Sequence, residues 1–132
     1  MKRNVVLLVD DNQTHLYSLG KHLAGSGFEV LHAHSGSMAL QIALSTSPDA
    51  ILLDINLPDM TGFGICQQLK ADPRTKSIPV VFHSATYDTA SARSQAAELG
   101  AVSFLSYPIN VEHLENVIKG AIAHARQNHL QS

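Results

Sequence analysis

Short apolar runs rich in β-branched residues alternate along the chain with longer segments in which apolar residues recur at helical spacing. The runs at 5–9 and 50–53 are apolar at every position, which is typical of central parallel strands covered on both faces. The pattern predicts strands at residues 5–9, 29–33, 50–53, 78–84 and 102–105. It predicts helices around residues 16–23, 35–44, 63–70, 90–99 and 111–122.

This alternation indicates an α/β fold of five βα units, in which right-handed crossovers produce a parallel sheet with helices on both faces. The 132 residues, of which 45% are hydrophobic, suit a single core. We predict that residues 1–125 form one doubly wound domain. The polar stretch 126–132 is expected to fray or to begin a truncated linker.

Charge and cysteine content narrow the classes of function. The formal net charge of −2 disfavours direct binding to nucleic acid, which requires a basic surface. Cys66 has no partner in the sequence for an internal disulfide, and this fits a reducing compartment. The apolar run that follows the basic N-terminus is too short for a signal peptide or a membrane span. We therefore expect a cytoplasmic protein with no membrane partner.

Acidic residues end two of the predicted strands. Asp10 and Asp11 follow the first strand, and Asp54 ends the third. Ser84 ends the fourth strand, and ligands of open α/β sheets bind outside these carboxyl ends. Carboxylates that meet there repel one another unless one holds a proton or a hard cation such as Mg²⁺ is bound. The alternative is that Asp10, Asp11 and Asn12 form only a turn and a helix cap.

Four segments resemble the receiver domains of two-component signalling. They are Val-Asp-Asp-Asn at 9–12, Leu-Leu-Asp-Ile-Asn-Leu-Pro-Asp-Met-Thr-Gly at 52–62, His-Ser-Ala at 83–85 and Gly-Ala-Val-Ser-Phe-Leu-Ser-Tyr-Pro at 100–108. The resemblance covers essentially the whole chain, with the motifs in family order and spacing. It implies the flavodoxin-like topology of chemotaxis receivers, with strand order 2-1-3-4-5.

The resemblance also implies roles for the acids. Asp54 would accept a phosphoryl group from a phosphohistidine, with Mg²⁺, or Mn²⁺ in its place, bound beside it. Asp11 and Asp54 would be direct ligands of the ion. The backbone carbonyl of Asn56 would be a third ligand, and Asp10 would act through water.

Two further positions match the residues through which the family responds to phosphorylation. Ser84 falls at the hydroxyl that turns toward the phosphoryl group, and Phe104 falls at the aromatic residue that then moves inward. Without the resemblance, Phe104 would be interpreted as an ordinary core residue. The output face of the family, made of the fourth helix, fifth strand and fifth helix, would carry Arg93, Glu112 and Glu115.

One position departs from the family pattern. The lysine that normally precedes the proline after the fifth strand is replaced by Tyr107, whose hydroxyl can hydrogen-bond but brings no positive charge. We expect phosphorylation to persist with slower or weaker switching, and we expect a cis peptide bond before Pro108.

The resemblance implies a phosphoacceptor switch that receives its phosphoryl group from a histidine kinase or a histidine phosphotransfer protein. It would act on an unidentified downstream protein, as a monomer or weak dimer, and would not be an enzyme beyond its own phosphorylation and slow dephosphorylation. Tyr107 keeps open a second hypothesis, a degenerate receiver that binds proteins without phosphate. An aspartyl-phosphate hydrolase would need a second aspartate at position 12, and a flavin-binding protein would not place two acids after its first strand.

The histidines and the cysteine receive structural interpretations. His15 and His22 lie seven residues apart on the first helix and are predicted to line a solvated or docking face. His83 should point to the opposite side of its strand from Ser84. Cys66 is predicted to be inert filling between apolar neighbours.

Overall fold

Five parallel strands form one sheet with helices on both faces, which confirms the predicted fold class. The computed structural model describes residues 3–86 and 88–131. The strands, in the spatial order β2-β1-β3-β4-β5, are β1 (Val5–Val9), β2 (Glu29–Ala33), β3 (Ala50–Asp54), β4 (Val80–Ser84) and β5 (Ser103–Ser106). The helices are α1 (Gln13–Gly25), α2 (Gly36–Thr46), α3 (Gly62–Ala71), α4 (Ala90–Glu98) and α5 (Val111–Gln131). Within these described residues, no helix combines the length and the apolar character needed to cross a membrane.

Two apolar layers, one on each face of the sheet, make up the core. Along β1, Leu7 and Val9 belong to one layer, and Val6 and Leu8 belong to the other. The first layer packs against α2, α3 and α4, and the second packs against α1 and α5. The strands β1, β3 and β4 are covered on both faces and pair in parallel. Their carboxyl ends therefore meet at one edge of the sheet.

Polar side chains fix the starts of the helices near this edge. The Asn12 side chain accepts a hydrogen bond from the His15 N–H at 3.1 Å. Asp59, in the loop after β3, accepts hydrogen bonds from the first two N–H groups of α2, those of Gly36 and Ser37, at 2.7 and 2.9 Å. These bonds lower the pKa of Asp59 and attach the loop after β3 to the neighbouring helix.

The C-terminal helix is longer than the sequence suggested. Residues 126–131, which the sequence suggested as a fraying tail or the start of a truncated linker, are helical, because α5 continues through Gln131. The boundary at residue 125 stays a prediction, and Ser132 lies outside the described residues. Residues 121–127 are mostly alanine and other strong helix formers. The Arg126 guanidinium also hydrogen-bonds Asn4 and lies 3.8 Å from Asp49, so the amino edge of the sheet supports this part of the helix.

Two smaller differences concern β4 and the predicted output face. β4 begins at Val80, two residues later than predicted, because Pro79 has no N–H to give to the ladder.

The Glu115 carboxylate accepts hydrogen bonds from Ser26 at 3.0 Å and from Lys119 at 2.6 Å. Glu115 therefore faces the end of α1 and not the surface formed by α4 and β5.

The loop that follows the third strand depends on the absence of a side chain at Gly62. A Cβ atom there would lie 2.3 Å from the Asp54 carbonyl oxygen and 2.9 Å from the Ile55 Cα, both of them backbone atoms. We predict that Gly62→Ala lowers the free energy of unfolding by about 2 kcal/mol, because the backbone under the site must shift. Denaturant unfolding monitored by circular dichroism measures this loss.

Gly25→Ala is the matched control for that prediction. Apart from its chain neighbours and its own helix backbone, no atom of the described residues lies within 4 Å of a Cβ built at Gly25, the last residue of α1. Alanine should be neutral there or stabilise the protein by up to about 1 kcal/mol. Equal losses for the two substitutions would contradict the close approach at Gly62.

Candidate functional site

A polar pocket of about 190 Å³ lies at the carboxyl edge of the sheet, where β1, β3 and β4 end. Residues from four loops or helix starts line it: Asp10, Asp11, Asn12, His15, Asp54, Asn56, Ala85, Thr86 and Tyr107. The continuous apolar strands bring these segments together, because each buried strand delivers its first polar residues to the same rim. The structure therefore places every predicted metal-ligand residue in one pocket.

Three acidic side chains converge in this pocket. One carboxylate oxygen from each of Asp10, Asp11 and Asp54 lies within 4.8 Å of the other two. Asp10 is buried, Asp54 is partly buried and Asp11 is exposed. Burial raises the pKa of Asp54 from 3.8 to about 7, and the negative charge of Asp10 is the second largest cause of this shift.

The buried Asp10 carboxylate is held by two polar partners. Its Oδ1 accepts a hydrogen bond from the Asn12 N–H at 2.9 Å, and its Oδ2 lies 3.1 Å from the His15 Nδ1. These contacts leave the repulsion between Asp10 and Asp54 in place. The acidic cluster offers only oxygen ligands, carries several negative charges and is exposed on one side. Such a site fits a hard divalent cation that keeps bound waters, and Mg²⁺ is the ion of this kind that prefers it.

The loops that carry Asn56 and Thr86 meet across the pocket. The Asn56 side-chain amide donates a hydrogen bond to the Thr86 hydroxyl at 3.2 Å, and the Asn56 N–H lies 3.4 Å from the Asp54 Oδ1. Ala85 also lines the pocket, and its small side chain takes up little of the space. The role of the Asn56 carbonyl as a metal ligand remains a prediction.

Ser84 and Phe104 lie near the pocket but do not line it. Ser84 is buried, and its hydroxyl oxygen accepts a hydrogen bond from the Thr86 N–H at 3.3 Å. Phe104 is partly buried on β5, and the Arg93 guanidinium lies over its ring at 4.7 Å from the centroid. Arg93 also donates to the Phe104 carbonyl at 3.3 Å and pairs with Asp88 at 2.7 Å, so α4 holds the aromatic in its observed position.

Tyr107 forms one wall of the pocket, and two histidines contact it. The His15 and Tyr107 rings stack with their centroids 4.6 Å apart, and the His83 Nδ1 lies 3.1 Å from the Tyr107 hydroxyl. The Tyr107–Pro108 bond is cis, as expected. Burial is the main cause that raises the pKa of Tyr107, and the charges of Asp10 and Asp54 raise it further. The hydroxyl of Tyr107 therefore stays protonated. Among the described residues that line the pocket, none is a lysine or arginine.

The sequence interpretation missed the two histidines at the site. The prediction that His15 lines a solvated or docking face is wrong. His15 lies one helical turn beyond Asp11, and its ring points back toward Asp10 at the end of β1. His83 does point away from Ser84, but toward Tyr107 and Asp10. The only available signal was a histidine inside an otherwise apolar strand.

Comparison with known proteins places these observations in a family. The family model described as "Response regulator receiver domain" matches residues 6–119. Protein PilH of Pseudomonas aeruginosa is 33% identical over 118 residues, which cover 89% of this chain and 97% of PilH. Response regulator PleD of Caulobacter vibrioides is 42% identical over 105 residues, or 80% of this chain, and the match spans 23% of PleD. The high-resolution structure of the chemotaxis response regulator CheY4 of Vibrio cholerae has 28% identity and a TM-score of 0.83, and the match covers 91% of this chain and 99% of that chain.

The raised pKa of Asp54 predicts a dependence of stability on pH. The unfolded chain releases this proton near pH 4 and the metal-free folded protein only near pH 7, so ionisation favours unfolding as the pH rises through that window. We predict that Asp54→Asn, without divalent ions, stabilises the protein by about 1 kcal/mol above pH 7 and has no effect below pH 4. Calorimetric melting across this pH range measures the difference.

Asp59→Asn is the control with the opposite sign. Because hydrogen bonds from α2 lower the pKa of Asp59, its neutralisation should destabilise the protein above pH 4. Added Mg²⁺ should raise the melting temperature of the parent more than that of Asp54→Asn. A stabilisation by Asp54→Asn that is constant from pH 4 to pH 8 would contradict the carboxylate repulsion.

Proposed function

The chain belongs to the response regulator receiver family of two-component signalling, and on that premise we propose that it accepts a phosphoryl group on Asp54. The donor is the phosphohistidine of a histidine kinase or a histidine phosphotransfer protein. The observation that carries the proposal is the convergence of Asp10, Asp11 and Asp54 within 4.8 Å in one pocket at the carboxyl edge of the sheet. We place the reaction in the cytoplasm, since the lone Cys66 suits a reducing compartment.

The transfer uses the ionised carboxylate of Asp54 as the nucleophile. One of its oxygens attacks the phosphorus, the P–N bond to the donor imidazole breaks, and the nitrogen keeps the electron pair of that bond. The product is an acyl phosphate. A bound Mg²⁺, or Mn²⁺, would favour ionisation of Asp54 and neutralise charge on the phosphoryl oxygens. Asp11, Asp54 and the Asn56 carbonyl would hold the ion directly, and Asp10 would hold it through water.

The response to phosphorylation runs from Ser84 to Phe104. The buried Ser84 hydroxyl turns toward the phosphoryl group and vacates space beside β5. Phe104 then moves inward and leaves the Arg93 guanidinium that lies over its ring. A downstream protein reads the changed surface of α4, β5 and α5. The protein catalyses only its own phosphorylation and slow dephosphorylation and is not otherwise an enzyme.

Tyr107 favours a second candidate function. The pocket lacks the family's lysine, so a degenerate receiver that binds its partners without phosphate is the alternative. The intact Asp10, Asp11, Asp54 and Ser84 argue for the phosphoacceptor, because each has the residue type and the position that the transfer requires.

Incubation with Mg²⁺ and phosphoramidate, followed by intact-protein mass spectrometry, tests phosphorylation. We predict one added phosphoryl group on the parent and none on Asp54→Asn, because the substitution removes the carboxylate proposed as the nucleophile. Omission of Mg²⁺ should reduce the rate by at least about tenfold, since the nucleophile and the donor would repel each other. The degenerate alternative predicts no added group under conditions that label a lysine-bearing receiver.

The substitution of Tyr107 by the family's lysine tests how much the loss of that lysine slows phosphorylation. We predict that Tyr107→Lys increases the rate of phosphorylation by roughly tenfold, because the lysine adds a cation that can make a charge-assisted hydrogen bond to the phosphoryl group. Tyr107→Met, which has similar length and no charge, is the control and should bring no increase. A Tyr107→Lys protein that folds normally and is phosphorylated no faster than the Met variant would contradict the charge argument.

A further inference from the structure

A fully buried histidine interrupts the apolar strand β4. His83 has no exposed surface, whereas its strand neighbours Val81 and Phe82 are apolar core residues. Its Nε2 lies 3.2 Å from the carbonyl oxygen of Val9, and its Nδ1 lies 3.1 Å from the hydroxyl of Tyr107. A buried imidazole with both nitrogens engaged needs a definite proton arrangement.

The two partners of His83 determine which nitrogen carries the proton. The Val9 carbonyl can only accept a hydrogen bond, so the Nε2 of His83 must donate to it. The ring has no exposed surface, both of its hydrogen-bond partners are neutral, and the Asp10 Oδ2 lies 3.8 Å from the Nδ1, beyond hydrogen-bond distance. Burial therefore favours the neutral imidazole. The Nδ1 is then an acceptor, and the Tyr107 hydroxyl donates its proton to it.

The Asp10 carboxylate is a second acceptor near the Tyr107 hydroxyl and contributes to its raised pKa, but it has other donors. The Asp10 Oδ1 accepts from the Asn12 N–H at 2.9 Å, and the Oδ2 lies 3.1 Å from the His15 Nδ1. The His83 Nδ1 lies inside the core, where water cannot replace the tyrosine as donor. Stacking on His15 at 4.6 Å fixes the tyrosine ring from its other side.

We propose that His83 is a positioning residue that restrains phosphorylation, because its Nδ1 binds the hydroxyl proton of Tyr107 and directs it away from the phosphoryl group on Asp54. This inference rests on the proposed phosphoacceptor function. A hydroxyl has one proton, so Tyr107 can donate to a phosphoryl oxygen only if it leaves the buried His83 Nδ1 unpaired. The site thus contains a donor that the core withholds from the reaction.

A double-mutant cycle on the rate of phosphorylation by phosphoramidate and Mg²⁺ tests the restraint. His83→Leu removes the acceptor and should increase the rate by about fivefold, because the Tyr107 hydroxyl can then donate to the phosphoryl group. The same substitution in a Tyr107→Phe background should bring no increase. His83→Asn, whose Oδ1 falls near the position of Nδ1, should restore the restraint and return the rate toward that of the parent.

The outcomes separate a positioning role from a structural one. A residue that only fills space in the core would reduce the rate when replaced, with or without the Tyr107 hydroxyl. A decrease in His83→Leu, or an increase that persists in the Phe background, overturns the proposal. His83→Val, a β-branched residue suited to a strand, replaces the leucine variant if the latter does not fold.

A second measurement examines the hydrogen bond without any phosphorylation. Nitrogen-15 NMR of the parent protein labelled in its imidazole rings should show a protonated Nε2 and an unprotonated Nδ1 for His83. The Nδ1 resonance should shift in Tyr107→Phe. A proton on Nδ1 overturns the inference. If the parent takes no phosphoryl group at all, the proposed function fails. The NMR result then still decides whether the His83 Nδ1 accepts the hydroxyl proton of Tyr107.

Discussion

Repulsion between carboxylates at the carboxyl edge of the sheet is the interaction on which the rest of the site depends. Asp10 is buried, and burial together with its charge keeps Asp54 from ionising at its ordinary pKa. The Asn12 N–H and the His15 ring stabilise Asp10 but do not neutralise the pair. The fold therefore creates a local deficit of positive charge. Since Tyr107 brings no charge, the proposed Mg²⁺ would have to offset that deficit.

The fold was predictable because its main determinants are local in sequence. Strands covered on both faces need apolar residues at every position, and β1 and β3 have them. Acids placed directly after such strands must reach the same rim, so the meeting of Asp10, Asp11 and Asp54 followed from the strand pattern and the family resemblance. Helix ends were less certain, because the extent of α5 also depends on contacts of Arg126 with residues distant in sequence.

The parts of the site that escaped prediction are contacts between segments far apart in the chain. Nothing local in the sequence indicates that His83 meets Tyr107, or that the Asp59 carboxylate caps a helix that precedes it by more than twenty residues. For His15, helical spacing predicts a solvated or docking face, because the spacing does not show which side chains lie beyond the first turn of the helix. Such pairings become visible only when the strands are placed side by side.

The hydrogen bond between Arg126 and Asn4 brings the beginning of β1 and the last turns of α5 together at the amino edge of the sheet. The acidic pocket lies at the other end of the strands, at a distance of roughly 16 Å for five residues of strand. Protein domains or fluorescent labels attached next to Asn4 or Arg126 would thus lie on the side remote from Asp54. Such fusions would leave the acidic pocket unobstructed, which makes the domain a suitable module for engineered chimaeras.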